Sequence, residues 1–227
     1  MNDVELRVVD DAHLASEAAA QLIAEAVDAG GHVGLSGGSS PRPAYERVAV
    51  LRPDWSGVEL WWIDERCVPP DDGRSNYRMI RESLLDGLSR PPEAVHRVRG
   101  EVDPEAAAAE YNAALAGVTL SLALLGIGPD GHTASLFPNA PTLDETERRA
   151  VAAEAGLDPF VPRVTMTRPV LAAAETAVFL VTGESKADAV ERAFAKPPSP
   201  DTPASLVRGR RTVAILDRAA ASRLNGK

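Results

Sequence analysis

The segment Leu120-Ser121-Leu122-Ala123-Leu124-Leu125 runs straight into Gly126-Ile127-Gly128-Pro129-Asp130-Gly131-His132-Thr133. A nearly continuous apolar run of this length reads as a strand covered on both faces, which is the strand type of parallel sheets flanked by helices. Open sheets of that kind bind their ligands beyond the carboxyl ends of the strands. Glycines there permit positive φ and close approach of a ligand to the backbone. The acid and the histidine two residues apart make an acid–base site, because an imidazole changes charge near neutral pH. The plainer alternative is a strand-to-helix turn with an incidental polar pair, since Gly, Pro and Asp are ordinary turn residues.

The rest of the chain repeats the same alternation. Strands are expected at Val4–Val9, His32–Ser36, Val58–Ile63, Thr119–Gly126, Arg163–Thr167, Ala177–Thr182 and Thr212–Leu216, the last followed by a short helix. Helices are expected from Asp11 to Ala29 with Gly30-Gly31 as the stop, around Pro41–Val50, from the Ser75 cap to about Leu85, from Asp103-Pro104 to near Gly117, and over Glu184–Ala195. Such alternation predicts an α/β fold with a mostly parallel sheet and helices on both faces, built as one domain over the 227 residues. The polar stretch Pro138–Pro162 reads as a loop-rich excursion over one edge, and Lys196–Pro203 as a stiff surface loop.

Composition excludes several function classes. A net charge of −9 offers no excess of cations for nucleic-acid phosphates, although a small anion responds to the local field and not to the total. The single cysteine, Cys67, allows no internal disulfide, and the four histidines lack metal-ligand spacing, so no metal is expected. The N-terminus is acidic where a signal peptide would be basic, and no apolar run reaches the ~18 residues of a membrane span, so a cytoplasmic location is expected. Nothing in the sequence sets an oligomeric state.

Three further segments carry chemistry. Gly34-Leu35-Ser36-Gly37-Gly38-Ser39-Ser40-Pro41 places glycines and hydroxyls at a helix N-terminus, a good site for a phosphate monoester, though it is neither a P-loop nor a dinucleotide fingerprint. Its bland reading is a glycine turn with a serine cap. Asp64-Glu65-Arg66 ends the strand after Trp61-Trp62-Ile63, and Arg66 offers a planar fork for a phosphate or an oxyanion. Cys67 beside it has no neighbouring base and reads as inert. Arg163, Arg168, Lys186 and Arg208 are each ordinary surface charges taken singly, and together they can line a phosphate pocket if the fold gathers them.

With those segments in place the chain resembles the family of glucosamine-6-phosphate isomerases and 6-phosphogluconolactonases, and within it the lactonases. The matching pieces are Leu35–Pro41, Asp64–Pro69, Ser75-Asn76-Tyr77, Gly126–Pro138, Arg163–Thr167, Val181–Lys186 and Pro203–Val207, in the family's order and over nearly the whole chain. Arg168 and Ala172-Ala173 depart from it, standing where an apolar residue and an asparagine are expected. The resemblance implies a Rossmann-like domain, no cofactor and no metal, and a sugar-phosphate lactone as substrate. It implies His132 as general base with Asp130 in the same site. The Gly37, Gly38, Ser39, Ser40 loop, Arg66 and Lys186 would hold the phosphate or position the lactone, with Asp64, Arg163 and Arg208 among the substrate-binding residues. Arg66 or backbone N–H groups of the Gly128–Gly131 turn would stabilise the oxyanion.

Two rivals differ in chemistry. A glucosamine-6-phosphate deaminase needs a further carboxylate just after the histidine, and Thr133-Ala134-Ser135-Leu136-Phe137 contains none. A non-catalytic sugar-phosphate sensor usually carries an extra partner domain, for which one α/β domain of this length leaves little room.

Overall fold

The computed structural model describes residues 4–224. Its elements in chain order are β1 (Val4–Val9), α1 (Ala12–Ala29), β2 (Gly31–Leu35), α2 (Arg42–Leu51), β3 (Val58–Trp62), β4 (Asp64–Arg66), α3 (Asn76–Ser83), β5 (Ala94–His96), α4 (Pro104–Ala114), β6 (Leu122–Leu125), β7 (Ala150–Ala153), β8 (Arg163–Met166), α5 (Arg168–Ala172), β9 (Thr176–Val181), α6 (Ala187–Phe194) and β10 (Arg211–Asp217). Local chemistry sets the helix starts. The Asp11 carboxylate accepts the Leu14 N–H, the Ser75 hydroxyl accepts from Arg78, and Asp103 accepts from Glu105 and Ala106 ahead of Pro104. Gly30, at φ 72°, ends α1.

Seven strands form a parallel sheet in the order β1-β10-β9-β6-β2-β3-β5. The chain moves one way from β1 through β2 and β3 to β5, then returns through β6, β9 and β10. Right-handed crossovers therefore put α1, α2 and α3 on one face and α4 and α6 on the other. The alanines of α1 let it sit close to the sheet; Ala15, Ala19 and Ala20 are fully buried. Between β2 and β6 the connections diverge to opposite faces. That opening is the topological switch point, where ligands bind in open α/β sheets.

Three expectations are corrected. Arg163–Met166 is a strand but lies outside the parallel sheet, in a three-stranded antiparallel sheet ordered β4-β8-β7. Its other edge, Ala150–Ala153, falls within the stretch read as loop-rich; alanine is a poor strand former, and this strand exists because β8 is there to pair with it. The described residues after β10, 218–224, form turns and no helix. No helix among the described residues is long and apolar enough to cross a membrane.

A buried carboxylate joins the small sheet to α3. Glu65, 2% exposed, accepts the backbone N–H groups of Arg66 (2.6 Å), Asn76 (2.8 Å) and Tyr77 (2.7 Å), so it satisfies the first turn of the helix from a neighbouring strand. Burial pushes its carboxyl from 4.5 up to about 7, against the pull of those donors. The folded state thus holds this proton more tightly than the unfolded chain. The contribution of Glu65 to stability is complete below about pH 4.5 and is lost as the pH rises through about 7. Glu65→Gln is expected to flatten that part of the stability-against-pH curve. Glu65→Ala leaves buried N–H groups unpaired and is expected to lower stability by about 3 kcal/mol or more, read from urea unfolding.

Candidate active site

A cleft of about 200 Å³ opens at the switch point. Its walls are the Ser36–Pro41 loop after β2, Asp64 and Arg66 of β4, Asn76 at the start of α3, the Gly126–Ala134 turn after β6, Arg163 of β8, Val181 at the end of β9, and Thr182 and Lys186 beyond it. The parallel register Leu35↔Leu124 and Leu125↔Phe179 brings the three strand ends level, so their loops face one another.

The turn after β6 is built around its histidine. His132 Nδ1 lies 2.6 Å from Asp130 Oδ1, and the His132 N–H donates to the same oxygen at 3.1 Å. With Nδ1–H donating, the neutral ring keeps its basic lone pair on Nε2. Burial pushes the Asp130 carboxyl upward, but the hydrogen bonds and charge of His132 outweigh it and hold the group below its ordinary range. The ring packs on Phe137, with centroids 4.8 Å apart. Gly128 is glycine for a steric reason, since a Cβ there would overlap the imidazole.

The backbone of this turn is closed on itself. Gly128 N–H donates to His132 O (2.8 Å) and Gly131 N–H to Gly128 O (2.9 Å), while Pro129 has no donor. Of the oxyanion donors expected in Gly128–Gly131, the Gly128 and Gly131 N–H groups are therefore engaged within the turn.

The other predicted residues separate by location. Gly37, Gly38, Ser39 and Ser40 line the cleft at the start of α2, and the carbonyl of Ser36 before them is held by the buried Tyr45 hydroxyl at 2.6 Å. Asp64 lines it as well, but its oxygens are braced by Ser135 Oγ (2.6 Å) and Asn76 Nδ2 (3.4 Å). Arg66 donates through Nη1 to Arg74 O at 2.6 Å and keeps a buried Nε without a protein partner. Arg163, opposite Arg66 in the β4–β8 register and 4% exposed, donates to the carbonyls of Leu157, Pro159 and Val161. Burial lowers its guanidinium, with Asp64 opposing the shift. Lys186 reaches the cleft half-buried, its ammonium lowered by burial and raised by Asp130.

Arg208 is not in the cleft. Its guanidinium donates to Ala193 O (2.7 Å), Ala204 O (2.8 Å) and Val207 O (2.7 Å) and lies over the Phe194 ring, tying α6 to the segment before β10. Sequence reasoning also missed a residue. Asn76, 2% exposed, donates to Asp64 O at 2.9 Å, fits against Gly37 where a Cβ would overlap it, and keeps a buried Oδ1 without a partner. Its signals in the sequence were its place directly after the Ser75 cap and the Ser75-Asn76-Tyr77 match to the family, neither of which set a role for its side chain. Among the described residues no group of three or more His, Cys, Asp and Glu is arranged to hold a metal. Cys67 stands outside the cleft lining, and burial pushes its thiol up to about 11.

Residues 9–215 match the family described as glucosamine-6-phosphate isomerases/6-phosphogluconolactonase. The 6-phosphogluconolactonase of Streptomyces coelicolor is 36% identical, with 99% of this chain and 96% of that protein covered. That of Mycobacterium leprae is 36% identical over 85% and 84%. Among solved structures, the 6-phosphogluconolactonase of Thermotoga maritima superposes with a TM-score of 0.85 at 29% identity, covering 95% of this chain and 100% of that one. The Trypanosoma brucei 6-phosphogluconolactonase superposes with a TM-score of 0.87 at 27% identity, covering 99% and 100%. A monomeric glucosamine-6-phosphate deaminase, 21% identical with a TM-score of 0.87, shares the fold. With its Asp130–His132 turn at the switch point of this sheet, the chain belongs to the glucosamine-6-phosphate isomerase/6-phosphogluconolactonase family.

Proposed function

We propose that this enzyme hydrolyses 6-phospho-D-glucono-1,5-lactone to 6-phosphogluconate, the lactone-opening step of the oxidative pentose phosphate pathway. The observation that carries the reading is the Asp130–His132 pair at a cleft whose facing wall is a Gly-Gly-Ser-Ser helix start. The names of the relatives support the same substrate. The residues 133–137 that follow the histidine supply no carboxylate, which disfavours the deaminase chemistry.

In this mechanism the lactone carbonyl sits over His132 with the phosphate in the Gly37–Ser40 loop, where free N–H groups, hydroxyls and the α2 dipole favour an anion. Lys186 adds a positive charge at the opposite wall. His132 Nε2 removes a proton from water as the water oxygen bonds to C1, and Asp130 stabilises the imidazolium. Because the Gly128 and Gly131 N–H groups are engaged within the turn, Arg66 supplies the charge that stabilises the tetrahedral oxyanion. Collapse of the intermediate breaks the bond from C1 to the ring oxygen, which takes the proton from the imidazolium. The product is a carboxylic acid that ionises at neutral pH. Remote phosphate binding orients the carbonyl against the base, so it contributes to kcat as well as to KM.

His132→Ala and His132→Asn are expected to lower kcat by about 10²–10⁴-fold at pH 7, the usual worth of a general base, with folding intact by circular dichroism. A variant with near-normal kcat removes His132 from the mechanism. Ser39→Ala combined with Ser40→Ala should raise KM for the phosphorylated lactone and leave that for unphosphorylated glucono-δ-lactone unchanged; equal effects on both would remove the loop from phosphate binding. Gly128→Ala should behave as a milder His132 variant, its new methyl pushing the ring off Asp130, measured as a loss of kcat.

A further inference from the structure

We propose that Arg192, on α6, is a positioning residue that holds the Asp130–His132 turn at its angle to the cleft; the inference rests on the lactonase reading above. Hydrogen bonding between Asp130 and His132 fixes the ring relative to its own turn, but both residues could swing together. What stops them lies outside the turn. Arg192 Nη2 donates to Pro129 O (3.3 Å) and Nη1 to Asp130 O (3.2 Å), while the next carbonyl, Gly131 O, accepts the Ala204 N–H at 3.0 Å. Three successive carbonyls of the turn are thus bonded from outside it, two by α6 and one by the segment before β10.

The same guanidinium reaches on to Asp201 O (3.3 Å) and Thr202 Oγ1 (3.0 Å), so one side chain joins the turn to the segment behind it. Gly131 lies against Thr202 closely enough that a Cβ there would be crowded by its methyl. The guanidinium is also ion-paired: Asp188, one turn earlier in α6, lies 3.2 Å from Nε as a charge contact without hydrogen-bond geometry, and pairs on its other side with Arg223 at 2.7 Å. α6 is seated by its buried face of Ala187, Ala189, Val190 and Ala193, and it continues directly from Lys186 at the cleft. Arg192 therefore couples the general base to the element that carries a cleft cation. The planar fork spreads these bonds over two nitrogens, Nη2 on Pro129 O and Nη1 on Asp130 O, Asp201 O and Thr202 Oγ1, a spread that the compact ammonium of a lysine reproduces only in part.

The test compares wild type, Arg192→Ala and Arg192→Lys in lactone hydrolysis, with proton NMR of the His132 Nδ1–H as a readout independent of turnover. The expected result is a fall in kcat on the order of 10- to 100-fold for Arg192→Ala, the scale of a small misplacement of a catalytic group, with KM for the phosphorylated lactone within about twofold of wild type. Arg192→Lys should recover part of kcat, and the low-field Nδ1 proton of wild type should broaden or shift in Arg192→Ala. Wild-type kcat with an unchanged Nδ1 proton overturns the proposal, as does a raised KM at unchanged kcat, which would make Arg192 a binding residue. If Arg192→Ala fails to fold, the same criteria are applied to Arg192→Lys. A wild-type protein without lactonase activity refutes the functional reading, while the NMR comparison still judges Arg192.

Discussion

The site depends on the parallel pairing of β6 with β2 on one side and β9 on the other. Burial of Leu122, Leu124 and Leu125, each worth about 1.5–3 kcal/mol when fully covered, sets β6 in the middle of the sheet. The register then determines where every loop begins. Because the connections from β2 and β6 leave on opposite faces, a gap opens between them that no side chain of the sheet fills. The histidine turn, the glycine–serine loop and the Lys186 segment meet there as a consequence of strand order, not of their own sequences.

Electrostatics in the cleft are local. A chain of net charge −9 brings Arg66, Arg163 and Lys186 to one opening, and burial works against the charge on two of them. Asp64 offsets that effect for Arg163, and Asp130 does so for Lys186. The carboxylates are in turn occupied by His132, Ser135 and Asn76, which leaves the cations as the groups with capacity toward an anion. Glu65, a conspicuous acid in the sequence, acts instead on the scaffold by satisfying the start of α3.

Much of this was legible from residues. Strand-and-helix alternation with caps at Asp11, Ser75 and Asp103 carries the layer arrangement, because capping and periodicity are local properties. The glycine-flanked Asp130 and His132 carry their own geometry, since two residues of turn suffice to join carboxylate and imidazole. The β7 strand was not legible, because Ala150–Ala153 has no strand signal apart from its partner. Asn76, Arg192 and Arg208 were misread or missed for one shared reason. Each is an ordinary polar residue whose role depends on which distant carbonyls or carboxylates it meets.

What the sequence determined alone was the class of fold, the strand-end segments able to do chemistry and the pairing within the Asp130–His132 turn. Those rest on interactions between residues a few positions apart. Only the tertiary structure decided that Arg163 lies in a second sheet opposite Arg66, that Arg208 ties α6 and stands outside the cleft, and that Arg192 holds the Asp130–His132 turn from behind. The pairing of Arg163 with Arg66 and the reach of Arg192 to the turn join positions tens of residues apart, and the free energy that selects such contacts comes from packing the whole sheet and its helices, so no short stretch of sequence encodes them.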